Sequence, residues 1–143
     1  MTRYLLDTNI LSNFTKISPS QALSDWISRQ PDDQLFISSW TLGELRRGVL
    51  SKPIGRKRTL LEEWFVGIQS WFGGRILPFD QQAALIWARL MHEGVAIGKL
   101  RSAIDMIIAA TAEGHDCMVV TDNEKHFPGI NILNPLRNKT SRS

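Results

Sequence analysis

Short apolar blocks alternate along this chain with longer stretches of helical periodicity. Tyr4-Leu5-Leu6 stops at Asp7-Thr8-Asn9, whose side chains can cap a helix predicted over 10–16. Pro19-Ser20 opens a second helix on the helical spacing of Ala22, Leu23, Trp26 and Ile27, ending before Gln30-Pro31-Asp32-Asp33. Leu35-Phe36-Ile37 reads as a buried strand, and Ser38-Ser39 supplies a cap for a helix over 40–50. After the break at Lys52-Pro53-Ile54-Gly55, a long amphipathic helix carries Leu60, Leu61, Trp64, Phe65, Ile68 and Trp71, and Gly73-Gly74 ends it. A third strand follows over 75–79, then a helix capped by Asp80 through Ile86, Trp87, Leu90 and Met91, then a loop over 94–98. Ser102 can cap the most hydrophobic helix, 103–113; Met118-Val119-Val120 makes a fourth strand and 130–133 a fifth.

Strands this short and apolar, separated by helices, predict an α/β fold with a short, mostly parallel central sheet and helices on both faces. The 143 residues suit one compact domain, 1–136, followed by a polar basic tail over 137–143 that is expected to fray. The 43% hydrophobic content argues against disorder. Cys117 is the only cysteine, which excludes an internal disulfide framework and Cys/His zinc spacing. No signal-peptide pattern or membrane-length apolar run is present, so a soluble cytoplasmic protein is expected.

The net charge of +3, from 17 basic and 14 acidic residues, permits nucleic-acid binding without indicating it. Its distribution says more. Arg46, Arg47, Lys52, Arg56, Lys57 and Arg58 crowd into one segment, and Arg137, Lys139 and Arg142 mark the tail. Such a segment can follow a phosphate backbone or can be a solvated helix end and loop.

The acids carry the candidate chemistry. Asp7 follows a buried strand, where ligands bind in open α/β sheets, although a helix cap would need no more than this. Glu44 lies in the first half of its helix with Arg47 at i+3, so a surface pair accounts for it equally well. Asp105 sits in Ala103-Ile104-Asp105-Met106-Ile107-Ile108-Ala109-Ala110, a helix apolar nearly all round. Its carboxylate there needs either a charge partner, Arg101 being the nearest, or a functional role. Asp122 and Asn123 follow the fourth strand, at a position that a turn would also favour. Carboxylates gathered at one sheet end repel one another, and a hard divalent ion such as Mg²⁺ or Mn²⁺ relieves that repulsion better than zinc.

Three segments resemble the signatures of PIN-domain toxins, the VapC-like ribonucleases of type II toxin–antitoxin systems: Leu5-Leu6-Asp7-Thr8-Asn9, Thr41-Leu42-Gly43-Glu44-Leu45-Arg46-Arg47-Gly48, and Asp105-Met106-Ile107-Ile108-Ala109-Ala110-Thr111-Ala112. Gly74-Arg75-Ile76-Leu77-Pro78-Phe79-Asp80 and Asn134-Pro135 are similar to the FitB-type branch. The resemblance implies a PIN fold, single-stranded RNA cleavage dependent on Mg²⁺ or Mn²⁺, and 5′-phosphate and 3′-hydroxyl products. It also implies homodimers or dimers of dimers, and neutralisation by a small cognate antitoxin through which alone operator DNA is bound. A partner acting mainly as the antitoxin-binding half of a repressor is the alternative function.

Matched residue by residue, Asp7, Glu44 and Asp105 are the family's metal-site acids, and Thr8 and Asn9 the polar residues beside the first; apart from that match, Arg46 and Arg47 are candidates for contact with the RNA backbone. In the fourth position Thr121-Asp122-Asn123 departs from the family pattern. Asn123 stands where the fourth acid falls and Asp122 where an arginine is usual, so either residue fills the last place, Asp122 in catalysis or Asn123 on the metal. A phosphatase of the haloacid-dehalogenase kind also begins with a strand ending in Asp, but it wants a second Asp where Asn9 stands.

Overall fold

The computed structural model describes residues 1–137 and the backbone pairing of 139–141. Six strands form one sheet: β1 (Arg3–Leu6), β2 (Leu35–Ser38), β3 (Ile76–Leu77), β4 (Cys117–Val120), β5 (Ile132–Asn134) and β6 (Lys139–Ser141). Their order is β3-β2-β1-β4-β5-β6; the first five are mutually parallel, and β6 runs antiparallel to β5 at the edge. The helices are α1 (Thr8–Asn13), α2 (Gln21–Ser28), α3 (Ser39–Leu50), α4 (Arg56–Trp71), α5 (Gln81–Ala96) and α6 (Ala103–Gly114).

Strand periodicity of two sorts the core into two layers. Leu6, Leu35, Ile37 and Val120 face one side and pack with Ile10, Leu23, Leu45, Phe65 and Phe72 from α1 to α4 and the turn after α4. Leu5, Phe36, Val119 and Ile132 face the other and pack with Leu90, Met106, Ile108 and Ala109 from α5 and α6. Adjacent residues of one strand thus serve opposite cores, and both faces of the parallel sheet are covered, as the run of apolar strand residues predicts.

The expected caps form at four helix starts. Ser20, Ser38, Asp80 and Ser102 accept from the backbone N–H of Leu23, Thr41, Ala83 and Asp105, at 2.9–3.2 Å. Two expectations change. Residues 94–96, expected in a loop, continue α5. Gly94 is there for contact, not for a turn: a Cβ on it would lie 2.8 Å from Arg101 Cδ. That arginine is almost fully buried and donates to the carbonyls of Leu90 (2.5 Å) and Pro128 (2.9 Å), tying the end of α5 to the loop before β5. It is therefore not the partner of Asp105 that the sequence left open. The second change is at the C-terminal edge, where 139–141 add a strand; the side chain of Lys139 and all of Arg142 lie outside the described residues. No described helix is long and apolar enough to cross a membrane.

Candidate active site

The chain builds outward from β1 on one side to β2 and β3, then returns to β1's other side for β4 and β5. The crevice where the order reverses lies beyond the carboxyl ends of β1 and β4, and a sheet of this type binds its ligand there. Asp7 is the first residue past β1; Thr121 is the first past β4. Their backbones continue the pairing, with Asp7 N–H donating to Val120 O at 2.9 Å and Thr121 N–H to Leu133 O at 3.0 Å.

Asp7 is 5% exposed and caps α1, its Oδ1 accepting from Thr8 N–H at 2.8 Å. Its Oδ2 accepts from the Thr121 hydroxyl at 2.8 Å. The cap that would have explained Asp7 without function is real, yet it uses one lone pair of four. Burial pushes the Asp7 carboxyl up from 3.8 to about 6; the Thr121 and Thr8 hydrogen bonds oppose this, and the nearby Asp105 and Glu44 carboxylates raise it further. Asp7 is therefore close enough to both of the other predicted acids for their charge to bear on it.

Glu44 makes no ion pair with Arg47 among the described residues. Its Oε1 accepts instead from the Thr8 hydroxyl at 2.6 Å, and that hydroxyl lies 3.1 Å from Thr41 Oγ1, itself 3.2 Å from the Ser38 hydroxyl. The end of β2, the start of α3 and the start of α1 are joined through this chain of hydroxyls. Asp105 occupies the first turn of α6 with its side chain 20% exposed, beside Ile104 at 48%. The apolar pattern that marked it as buried holds from Met106 onward, and its partner is His126, Nδ1 to Oδ2 3.4 Å.

Thr121 is the hub that the sequence reading passed over. Fully buried, it donates to Asp7 and accepts from Asn123 N–H at 3.0 Å and Asn9 Nδ2 at 3.4 Å. A threonine next after a buried strand, just before the two contested residues, was the available signal. His126 gave none beyond its place before Phe127. Asp122 and Asn123 differ in setting: Asp122 Oδ1 is buried with no hydrogen-bond partner among the described residues, as is Asn9 Oδ1, whereas the Asn123 side chain is exposed and makes no cap hydrogen bond there. Of the two arginines, Arg46 is paired with Glu62 and lies over the Phe65 ring, while Arg47 is exposed and makes no ion pair among the described residues.

The donor set is oxygen only, and the orphaned buried oxygen of Asn9 is tied through Thr121 to a carboxyl whose charge burial resists; such a set suits a hard divalent cation. Among the described residues no three His, Cys, Asp or Glu side chains close into a ready-made cage. An ion that keeps several of its own waters fits such an open arrangement better than one needing full protein coordination.

Fold and site together define a class. A model of the PIN domain matches residues 4–131, and the chain belongs to the PIN domain family. It is 37% identical over 134 residues to "VapC ribonuclease Y4jK" of Sinorhizobium fredii (strain NBRC 101917 / NGR234), covering 92% of this chain and 96% of that protein. Over 134 residues it is 34% identical to "Toxin FitB" of Neisseria gonorrhoeae (strain ATCC 700825 / FA 1090), with the same coverage. The solved structure of FitAB bound to an IR36 DNA fragment aligns with a TM-score of 0.89 at 33% identity, over 95% of this chain and 97% of that one.

Proposed function

We propose that this chain is the toxin of a toxin–antitoxin pair and acts as a cytoplasmic endoribonuclease dependent on Mg²⁺ or Mn²⁺. The observation that carries the reading is Asp7: a buried carboxyl at the switch point, pressed toward its neutral form by burial and by two neighbouring acids. Such a cluster is unfavourable by itself and becomes favourable around a cation. The VapC and FitB relatives support the nuclease and toxin parts of the reading.

Asp7 and Asp105 would hold the ion, with Glu44 a third ligand or an orienting base and Asp122 or Asn123 completing the set. When bound, the ion supplies a Lewis acid that eases ionisation of water and offsets charge growing on the phosphate oxygens. Thr121 and Thr8 N–H fix the two oxygens of Asp7, and the Thr8 hydroxyl fixes Glu44. Asn9 is tethered through Nδ2 to Thr121, and its buried Oδ1 has no hydrogen-bond partner among the described residues.

The test is to incubate purified protein with total RNA, with EDTA and with Mn²⁺, and map the cut ends. Cleavage with Mn²⁺ that EDTA abolishes, leaving 5′-phosphates, is expected; activity undiminished by EDTA would overturn the metal assignment. Thr8→Val frees Glu44 without removing a carboxylate, so kcat/KM should fall about 10–100-fold, the usual effect of losing an outer partner of a metal site. Unchanged kcat/KM in that variant would show that Glu44 needs no such support.

The FitAB–DNA structure supports a second reading, in which the chain serves chiefly as a homodimer or dimer of dimers seated with a small antitoxin on operator DNA. A free chain that binds Mn²⁺ but cuts no RNA favours that reading alone.

A further inference from the structure

Beside the acids lies a cleft of about 310 Å³ that shares Glu44 with the proposed metal site and is otherwise lined by Ser39, Trp40, Gly43, Arg47 and Ile104. Trp40, Gly43, Glu44 and Arg47 stand at i, i+3, i+4 and i+7 of α3, so they share one face of that helix. Ile104, from the first turn of α6, forms the opposite wall and immediately precedes Asp105. The two largest apolar residues here are exposed, Trp40 at 38% and Ile104 at 48%. Between them Gly43 leaves the floor bare, since a Cβ on it would meet nothing within 4 Å.

We propose that this cleft is a nucleobase subsite, which takes one unpaired base of a single-stranded RNA next to the phosphate held at the acids; it rests on the endoribonuclease reading above. A flat aromatic face, a bare floor, an apolar wall and an unpaired guanidinium are the parts a stacked base requires. The indole stacks on any base, the isoleucine closes the other side, and Arg47 meets the negative backbone or an acceptor edge. Arg47 is available for this because its neighbour Arg46, not Arg47, holds the local acid Glu62. A volume at the low end of ligand pockets suits one base and not a larger ligand.

The charge also runs the right way. Glu44 lines a second, smaller groove on the other side of α3, about 180 Å³, with Lys52 on its wall. A strand passing the acids therefore meets Arg47 on one side and Lys52 on the other, cation–acid–cation, the order a phosphodiester chain with a bound cation at its centre needs. A stable protein–protein interface would want a broad apolar core with few charges, and two apolar residues around an arginine with no ion pair among the described residues do not provide one. Duplex RNA keeps its bases stacked inside the helix and cannot present one to this cleft.

The experiment measures binding, not cleavage, using full-length protein and a fluorescein-labelled single-stranded decaribonucleotide followed by anisotropy, with sedimentation velocity run on each variant. Trp40→Ala should weaken binding about 5–100-fold and Trp40→Phe should restore most of it. A strand with a single abasic position in the cleft should bind the native protein as weakly as Trp40→Ala binds the intact strand. Gly43→Leu should fill the floor and block binding while the fold holds or gains stability, since leucine is the better helix former and nothing stands in its way. Native protein should bind the duplex of the same sequence more weakly than the single strand. Undiminished binding by both Trp40→Ala and Gly43→Leu overturns the subsite and leaves the nuclease reading standing. A change of oligomeric state on Trp40→Ala with binding unaltered overturns it too, in favour of a face between copies. No binding of the strand by the native protein overturns the subsite together with the reading it rests on.

Discussion

Asp7→Asn is expected to lower metal-dependent RNA cleavage by more than about 100-fold and, in the same protein, to raise the stability of the metal-free fold at neutral pH. The first effect follows from removing a proposed ligand, which should cost more than the roughly 10–100-fold typical of outer partners. The second follows from linkage. In the fold the Asp7 carboxyl titrates at about 6, above its ordinary 3.8, because burial disfavours its ionised form. The native state therefore holds a proton that the unfolded chain has already released between those two values, and stability falls with rising pH there. The contribution is fully present below about pH 4 and is lost as pH rises through about 6. Between 3.8 and about 6 the difference corresponds to about 3 kcal/mol.

An asparagine has no charge to bury. Its Oδ1 can accept from Thr8 N–H as the carboxylate does, and its Nδ2 can donate to Thr121 Oγ1 by displacing the long 3.4 Å bond from Asn9 Nδ2. Thermal melts in EDTA from pH 4 to pH 8 should show the native protein declining through pH 4–6 and Asp7→Asn nearly flat, the two separating by up to about 3 kcal/mol at pH 7.5. Mn²⁺ at neutral pH should then reverse the order, raising the native protein's midpoint and leaving the variant's unmoved. A native melt independent of pH across that range would mean that Asp7 is not held near its neutral form.

The parts of this architecture legible in the sequence are those that depend on local pattern. Short apolar runs located the five parallel strands, though not the polar edge strand β6, and serine or aspartate before a periodic stretch located the helix starts at Ser20, Ser38, Asp80 and Ser102. Position after a strand sufficed to nominate Asp7. The misreadings share a cause, which is contact between residues far apart in the chain. Gly94 looked like a loop residue because nothing local says that Arg101 lies across it. Arg101 looked like the partner of Asp105 because the carbonyls of Leu90 and Pro128 that occupy its guanidinium become its neighbours only when α5 folds back. Arg47 looked like the partner of Glu44 because i+3 spacing is visible and a hydroxyl 36 residues earlier is not.

The same limit shaped the reading of burial. An apolar helix suggested that Asp105 was the costly buried acid, but the start of α6 is open and the enclosed carboxyl is Asp7. Resemblance to the PIN family, not pattern, lifted Glu44 above an ordinary surface glutamate. The aromatics of α4 and the turn after it belong largely to the core: Phe65 and Phe72 are buried, Trp64 packs against them, and Trp71 is exposed.

Thr121→Val should be the most damaging change within the proposed site that removes no carboxylate. The hydroxyl donates to Asp7 Oδ2 and accepts from Asn123 N–H and Asn9 Nδ2, all within a pocket closed to solvent at Thr121 itself. Valine keeps the shape, loses every one of these bonds, and leaves two donors and one buried carboxylate oxygen without partners. Stability should fall by about 2–4 kcal/mol at pH 7.5, since each unmet buried group costs about 1–3 kcal/mol and a bond to a charge is at the upper end. The pH dependence carries the sharper test. Because the Thr121 bond lowers the Asp7 titration, its loss should move that titration further upward and extend the decline of stability beyond pH 6. Acidification below pH 4, where Asp7 is neutral in both folded and unfolded chains, should recover part of the deficit, because the unmet charge is then gone. Thr121→Ser, which keeps the hydroxyl and sheds only a methyl, should follow the native pH profile with a small uniform loss. A Thr121→Val profile that merely runs parallel to the native one would show that the hydroxyl packs beside Asp7 without tuning its charge, and the coupling between the ends of β1 and β4 would then have to lie elsewhere.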